Sequence, residues 1–103
     1  MQKPLEMKAV YIAYNQVLSE TVIKMLDNLQ IRGFSLWADV QGRGSFAGEP
    51  HMGSHTWPAM NSAVLAVVIA EKVPEILDAV TKINQLSEQQ GIRAFVWNIE
   101  ATV

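Results

Sequence analysis

Eight consecutive apolar residues, Ala63-Val64-Leu65-Ala66-Val67-Val68-Ile69-Ala70, constrain this chain more than any other feature. The run is far too short to cross a bilayer, which takes about 20 residues as a helix. With Asn61 and Ser62 ahead of it, it reads as a β-strand. Having no polar face, that strand must be covered on both sides. The chain offers three other strand candidates. Lys8 to Tyr14 is rich in β-branched and aromatic residues, Phe34 to Gln41 alternates apolar with polar, and Arg93 to Ile99 alternates again. In the last of these, Phe95, Trp97 and Ile99 share one side, with Ala94 and Val96 on the other. Tyr11 and Tyr14 fall on opposite sides of the first.

Two helical patterns lie between the strands. Asn15 is a candidate N-cap for a helix over about Gln16 to Gln30, in which Leu18, Val22, Met25, Leu26 and Leu29 recur on one face. Gly33 suits a left-handed C-cap. Pro74 fits the first turn of a second helix, whose stripe is Ile76, Val80, Ile83 and Leu86 and which Gly91 stops. The order is therefore β-α-β, a long connection, then β-α-β. Ile31-Arg32-Gly33-Phe34 after the first helix is faintly echoed by Ile92-Arg93-Ala94-Phe95 after the second. Two such units predict an α+β fold for residues 1–103 as a single domain. It is a ferredoxin-like βαββαβ sandwich, with an antiparallel four-stranded sheet and two helices on one face.

Two helices cover only one face of four strands, so the other apolar face is left as an interface. Only 17% of the residues are charged, below the usual quarter, which fits burial against other chains. A homo-oligomer is expected. The net charge of −2 gives no electrostatic pull toward nucleic acid or anionic membrane. With no cysteine, disulfides and thiolate metal sites are excluded. Met1 to Glu6 lacks the apolar run of a signal peptide, and a soluble cytoplasmic location is expected.

The connection from Gly42 to Pro58 holds four of the six glycines, two of the four prolines and both histidines, and no strand or helix pattern crosses it. A loop this long in so small a domain is functional or disordered. Gly42, Arg43 and Gly44 are a candidate backbone cradle for an anion, with Arg93 supplying charge; otherwise they mark a bulge or turn leaving the strand. His51, His55 and nearby Glu49 are a candidate set for zinc, copper or nickel; otherwise the histidines are solvated, since no helix fixes their spacing. Trp57 beside Pro58 either stacks on a nucleotide base or anchors the loop on the core. Trp37 and Trp97 are core or interface residues, and Asp39 and Glu100 are isolated acids near strand ends. No Ser-His-Asp, paired-acid or Cys-His arrangement is visible, so no catalysis is expected.

Val40-Gln41-Gly42-Arg43-Gly44-Ser45-Phe46-Ala47-Gly48 resembles the PII signal-transduction family. There the second strand ends in a valine, and a Gly-x-Gly-x-x-x-Gly segment leads into a long mobile loop, the T-loop. Arg93-Ala94-Phe95-Val96 is similar to the lysine-x-Phe-Val with which that family opens its last strand. The resemblance runs from Lys8 to Glu100 in element order. It implies a ferredoxin-like trimer, ligand clefts between subunits, and a T-loop, here about 42–58, that docks on target proteins.

The departures narrow the ligand. The family places Arg-Gln-Lys between its second and third glycines, and the glutamine helps hold magnesium and 2-oxoglutarate. Ser45, Phe46 and Ala47 stand there in this chain. The loop has no tyrosine for uridylylation. The family's phosphate-cradling segment is shortened to Gln89-Gln90-Gly91-Ile92, Arg93 alone stands in for its lysine, and the C-terminal arginines are missing. The loop exit, His55 to Asn61, is similar to that of divergent PII-like proteins, whose ligands vary. The expectation is a PII-like trimeric regulator, not an enzyme, that binds an adenine nucleotide or small anion and orders its loop to act on a partner protein. ATP should bind weakly at most, and 2-oxoglutarate not at all. The other reading is a divalent-metal-binding trimer similar in architecture to the divalent-cation-tolerance (CutA) proteins, with the loop histidines as ligands.

Overall fold

The computed structural model describes residues 6–43, 50–51, 60–87 and 91–103. The strands are β1 (Met7–Asn15), β2 (Ser35–Val40), β3 (Gly42–Arg43), β4 (Pro50–His51), β5 (Asn61–Ile69) and β6 (Ile92–Asn98), and the helices are α1 (Ser19–Asn28) and α2 (Val73–Leu86). The main sheet runs β2-β5-β1-β6 and is antiparallel throughout. The apolar run falls in β5, one of the two inner strands, and its second face is not covered within the chain. This is the ferredoxin-like arrangement that the element order predicts.

One face carries the core. Val10, Ile12 and Tyr14 of β1, Val64, Ala66 and Val68 of β5, and Ile92 of β6 are buried there with Leu18, Val22, Met25 and Leu26 from the first helical segment and Ile76, Val80 and Ile83 from α2. Each large aliphatic side chain so buried contributes about 1.5–3 kcal/mol. Leu86 does not join them. It is the last residue of α2 and is 87% exposed, so the expected stripe ends one turn earlier, at Ile83.

The helix ends differ from expectation in instructive ways. Asn15 does act as a cap, its Oδ1 accepting from the Val17 amide at 3.0 Å, but it caps a 3-10 turn, Gln16–Leu18, from which α1 continues. At the other end the left-handed position falls on Gln30 (φ 61°), not on Gly33. The Ile31 amide donates to the Leu26 carbonyl at 2.8 Å and the Gln30 amide to that of Asp27 at 3.0 Å. That bonding is the Schellman pattern, with Ile31 folded back beside Leu26 in the core. Burial of Ile31 decides where the chain turns, and Gln30 takes the strained backbone. Lys72 completes the end of α1 by donating from Nζ to the Leu29 carbonyl at 2.7 Å. Gly91 (φ 84°) provides the turn into β6, while α2 has already stopped at Leu86.

The second face has no helix over it. Paired residues share a face, so the ladders place Ala9 with Val67 and Trp97, Tyr11 with Leu65 and Phe95, and Ala13 with Ala63 and Arg93. Ser35 and Trp37 of β2 extend the same face beside Leu65 and Ala63. Tyr11 and Tyr14 accordingly lie on opposite sides. The expected clean alternation of the second strand fails at one point: the β2–β5 register shifts between Trp37 and Val40.

Candidate ligand-binding site

β1 and β2 end, and β5 and β6 begin, at the same end of the sheet. Asn15 pairs with Asn61, Val40 pairs with Asn61, and Tyr14 pairs with Ile92. Backbone bonds tie this end together: the Asn15 amide donates to the Gly91 carbonyl at 3.2 Å and the Gln16 amide to the Met60 carbonyl at 2.8 Å. The 42–58 connection therefore joins β2 to β5 at the same end of the sheet as the start of β6, where Arg93 lies.

Gly42 and Arg43 stand just past β2, and their backbone forms the β3–β4 ladder, Gly42 opposite His51 and Arg43 opposite Pro50. The sequence pattern foresaw no such ribbon, because two short strands leave no periodicity to read. Gly44, Glu49 and His55 lie outside the described residues, as do Phe46, Trp57 and Pro58. Among the described residues no three His, Asp or Glu side chains come together as a metal site. No described helix is long and apolar enough to cross a membrane.

Arg93 is exposed, faces the uncovered side and stands opposite Ala13. It lies on β6, one edge of the sheet, whereas Gly42 and Arg43 follow β2, the other edge. β5 and β1 lie between, and at about 4.8 Å per strand the two edges are roughly 14 Å apart. Gly42 and Arg43 thus follow one edge strand, and Arg93 stands on the other, at the same end of the sheet.

Residues that sequence reasoning passed over, or left isolated, hold the neck of the connection. Asp39 is not alone: its Oδ1 accepts from Gln16 Nε2 at 2.6 Å, and the same amide nitrogen contacts the Ala38 carbonyl. Ser62 Oγ also donates to the Ala38 carbonyl, at 2.6 Å. Asn15 and Asn61, paired across β1 and β5, are both buried. The available signal was a cluster of small polar residues, Asn15-Gln16 and Asn61-Ser62, abutting apolar strands. Polar groups there must find partners.

Tyr14 closes this end of the core. Burial pushes its phenol above the usual tyrosine range, with the Ser19 hydroxyl acting more weakly in the opposite direction. Among the described residues no hydrogen bond of normal geometry reaches its oxygen.

A family model described as nitrogen regulatory protein P-II matches residues 7–103. Among solved structures, the chain is similar to CPII, a nitrogen regulatory PII-like protein from Thiomonas intermedia K12, bound to ADP, AMP and bicarbonate. Identity is 21% and the TM-score 0.72, over 91% of this chain and 86% of that one. A structure of CPII with ADP, AMP and acetate has 19% identity and a TM-score of 0.74, over 99% and 94% of the two chains. A protein from Thermus thermophilus described as a putative PII-like signaling protein has 19% identity and a TM-score of 0.65, over 92% and 88%. At these identities the likeness is one of fold. No curated protein sequence matches the chain.

Proposed function

The chain belongs to the nitrogen regulatory protein P-II family, and from that premise we propose that it is a cytoplasmic homotrimeric regulator. It binds an adenine nucleotide or a small anion in clefts between subunits and signals occupancy to a partner protein through residues 42–58. The observation that carries this reading is the separation of its basic residues. Arg93 and the base of the connection share one end of the sheet but sit on opposite edges. A ligand that uses both needs the β2 edge of one chain and the β6 edge of another. The uncovered apolar face supplies the reason for a second copy to be there.

The chemistry favours a ligand with fewer phosphate groups than ATP. Phe46 offers no polar group, and Arg43 and Arg93 are the cations at hand. Each missing charge-assisted hydrogen bond is worth roughly 1.5–3 kcal/mol, so the loss of two or three weakens binding by several powers of ten. The ligands of the Thiomonas protein, ADP and AMP with bicarbonate, are of this smaller kind. The test is calorimetry and thermal shift with ADP, AMP and bicarbonate, singly and together, beside magnesium-ATP with 2-oxoglutarate. Stabilisation by the first set supports the reading, since only a ligand that prefers the native state raises the melting temperature. Synergistic binding of the second pair would overturn the ligand assignment. Stabilisation by zinc, copper or nickel alone, lost on His51→Ala with His55→Ala, would identify a metal-binding protein instead.

A further inference from the structure

We infer that Gln16 is a positioning residue that sets how the chain leaves β2 toward β3, by locking a β-bulge near the end of β2. The bulge follows from the register. Trp37 pairs with Ala63 and Val40 with Asn61, so two residues, Ala38 and Asp39, face the single residue Ser62. The side-chain period of a strand is two, so one extra residue turns over everything after it. Without the bulge Asp39 would stand opposite Asn61. With it Val40 does, and Val40 therefore lies on the uncovered face.

A bulge leaves backbone groups out of the ladder, and here they are taken by named partners. The Ala38 carbonyl accepts from Ser62 Oγ and from the Gln16 side-chain amide, and the same amide reaches the Asp39 carboxylate. The backbone of Gln16 meanwhile donates to Met60. One residue thus grips both sides of the connection: Ala38 and Asp39 before it, Met60 after it. Its neighbour Asn15 donates to Gly91, two residues before Arg93. The dipeptide Asn15-Gln16 therefore joins the neck of the signalling segment to the strand that carries the candidate anion-binding arginine. A shift of β6 on ligand binding would reach the neck through two consecutive residues. This coupling rests on the proposed signalling role of residues 42–58; the clamp itself does not.

The test is hydrogen exchange on the ligand-free full chain, comparing wild type with Gln16→Ala, Gln16→Glu, Asp39→Asn and Ser62→Ala. Gln16→Ala removes both side-chain contacts, and Gln16→Glu replaces a donor with an acceptor facing the Asp39 carboxylate. Both should raise exchange at residues 40–43 and 51 by about tenfold, with β1 amides unchanged. Asp39→Asn keeps an oxygen that accepts from Gln16 and should behave as wild type, while Ser62→Ala should give a smaller increase. Unchanged exchange at the neck in both Gln16 variants would overturn the inference. So would an equal increase across β1, which would mark general destabilisation rather than a local clamp. An ADP and bicarbonate titration of the same proteins separates the two ideas. If wild type binds neither, the ligand reading fails while the exchange result still decides the clamp.

Discussion

Trp97 stands opposite Ala9 across the β1–β6 ladder, and the pair divides the uncovered face unequally: Ala9 is 2% exposed and Trp97 48%. An alanine on a sheet face becomes inaccessible only beneath larger neighbours, here Trp97 on one side and Val67 on the other. Those neighbours stay half open, as do Phe95 and Trp37 on the same face. The face is packed within the chain at its floor and unpacked at its top.

That division predicts assembly. Light scattering at micromolar concentration should give a trimer for wild type, and Val67→Asp or Trp97→Asp should give monomer or unfolded protein. A charge left unpaired in a buried interface costs about 3–5 kcal/mol. A wild-type monomer would refute the interface.

Arg93→Ala should weaken ADP binding by about 10–150-fold, the equivalent of one charge-assisted hydrogen bond, and Arg43→Ala should act alike. Arg43 follows one edge strand, β2, and Arg93 stands on the other, β6, so the variants should complement each other. Co-refolding them in equal amounts should restore tight sites to about a quarter of the clefts, if each cleft draws one arginine from each of two chains. No recovery on mixing would place both arginines in clefts of a single chain. The pair His51→Ala with His55→Ala should leave ADP binding unchanged.

Tyr14→Phe should leave the melting temperature at or slightly above that of wild type, because no hydrogen bond of normal geometry reaches the buried hydroxyl among the described residues. The wild-type phenol is raised by burial, whereas the unfolded one titrates near 10. Below pH 10 both states hold the proton and the hydroxyl adds no pH dependence. Above it the unfolded state releases its proton first, so stability falls as pH rises toward the folded value. Urea melts at pH 8 and pH 11 should show a smaller alkaline loss in Tyr14→Phe than in wild type.

Gln30→Gly should stabilise by about 0.5–1 kcal/mol, since glycine takes the left-handed C-cap without the Cβ conflict. Thermal melts should show an increase of several degrees for a domain of this size. Gly33→Ala, at a residue without positive φ and with nothing within 4 Å of an added Cβ, should be nearly neutral. The reverse order of these two effects would contradict the observed helix end.

Much of the fold was legible in the residues because its signals are local. The apolar run 63–70 reads as a strand, and all of it but Ala70 lies in β5. The stripe from Leu18 to Leu26 and the stripe from Ile76 to Ile83 required helices on one face, and both lie there. The lead-in Val40-Gln41-Gly42-Arg43-Gly44 pointed to the right family because it is contiguous.

What the sequence alone determined was therefore the order and type of the four long strands and two helices, and the buried face of each helix, each written in a period of two or 3.6 within a few residues. What only the tertiary structure decided depends on residues far apart in the chain. The bulge at Ala38 and Asp39 comes from how β2 meets β5, more than 20 residues away, and no strand announces its partner's register. The grip of Gln16 on Asp39, and the left-handed turn at Gln30 in place of Gly33, follow from where the core pulled Leu18 and Ile31. That β2, which leads to Arg43, and β6, which carries Arg93, are opposite edges comes from strand order, which antiparallel pairing settles only once all four strands are present.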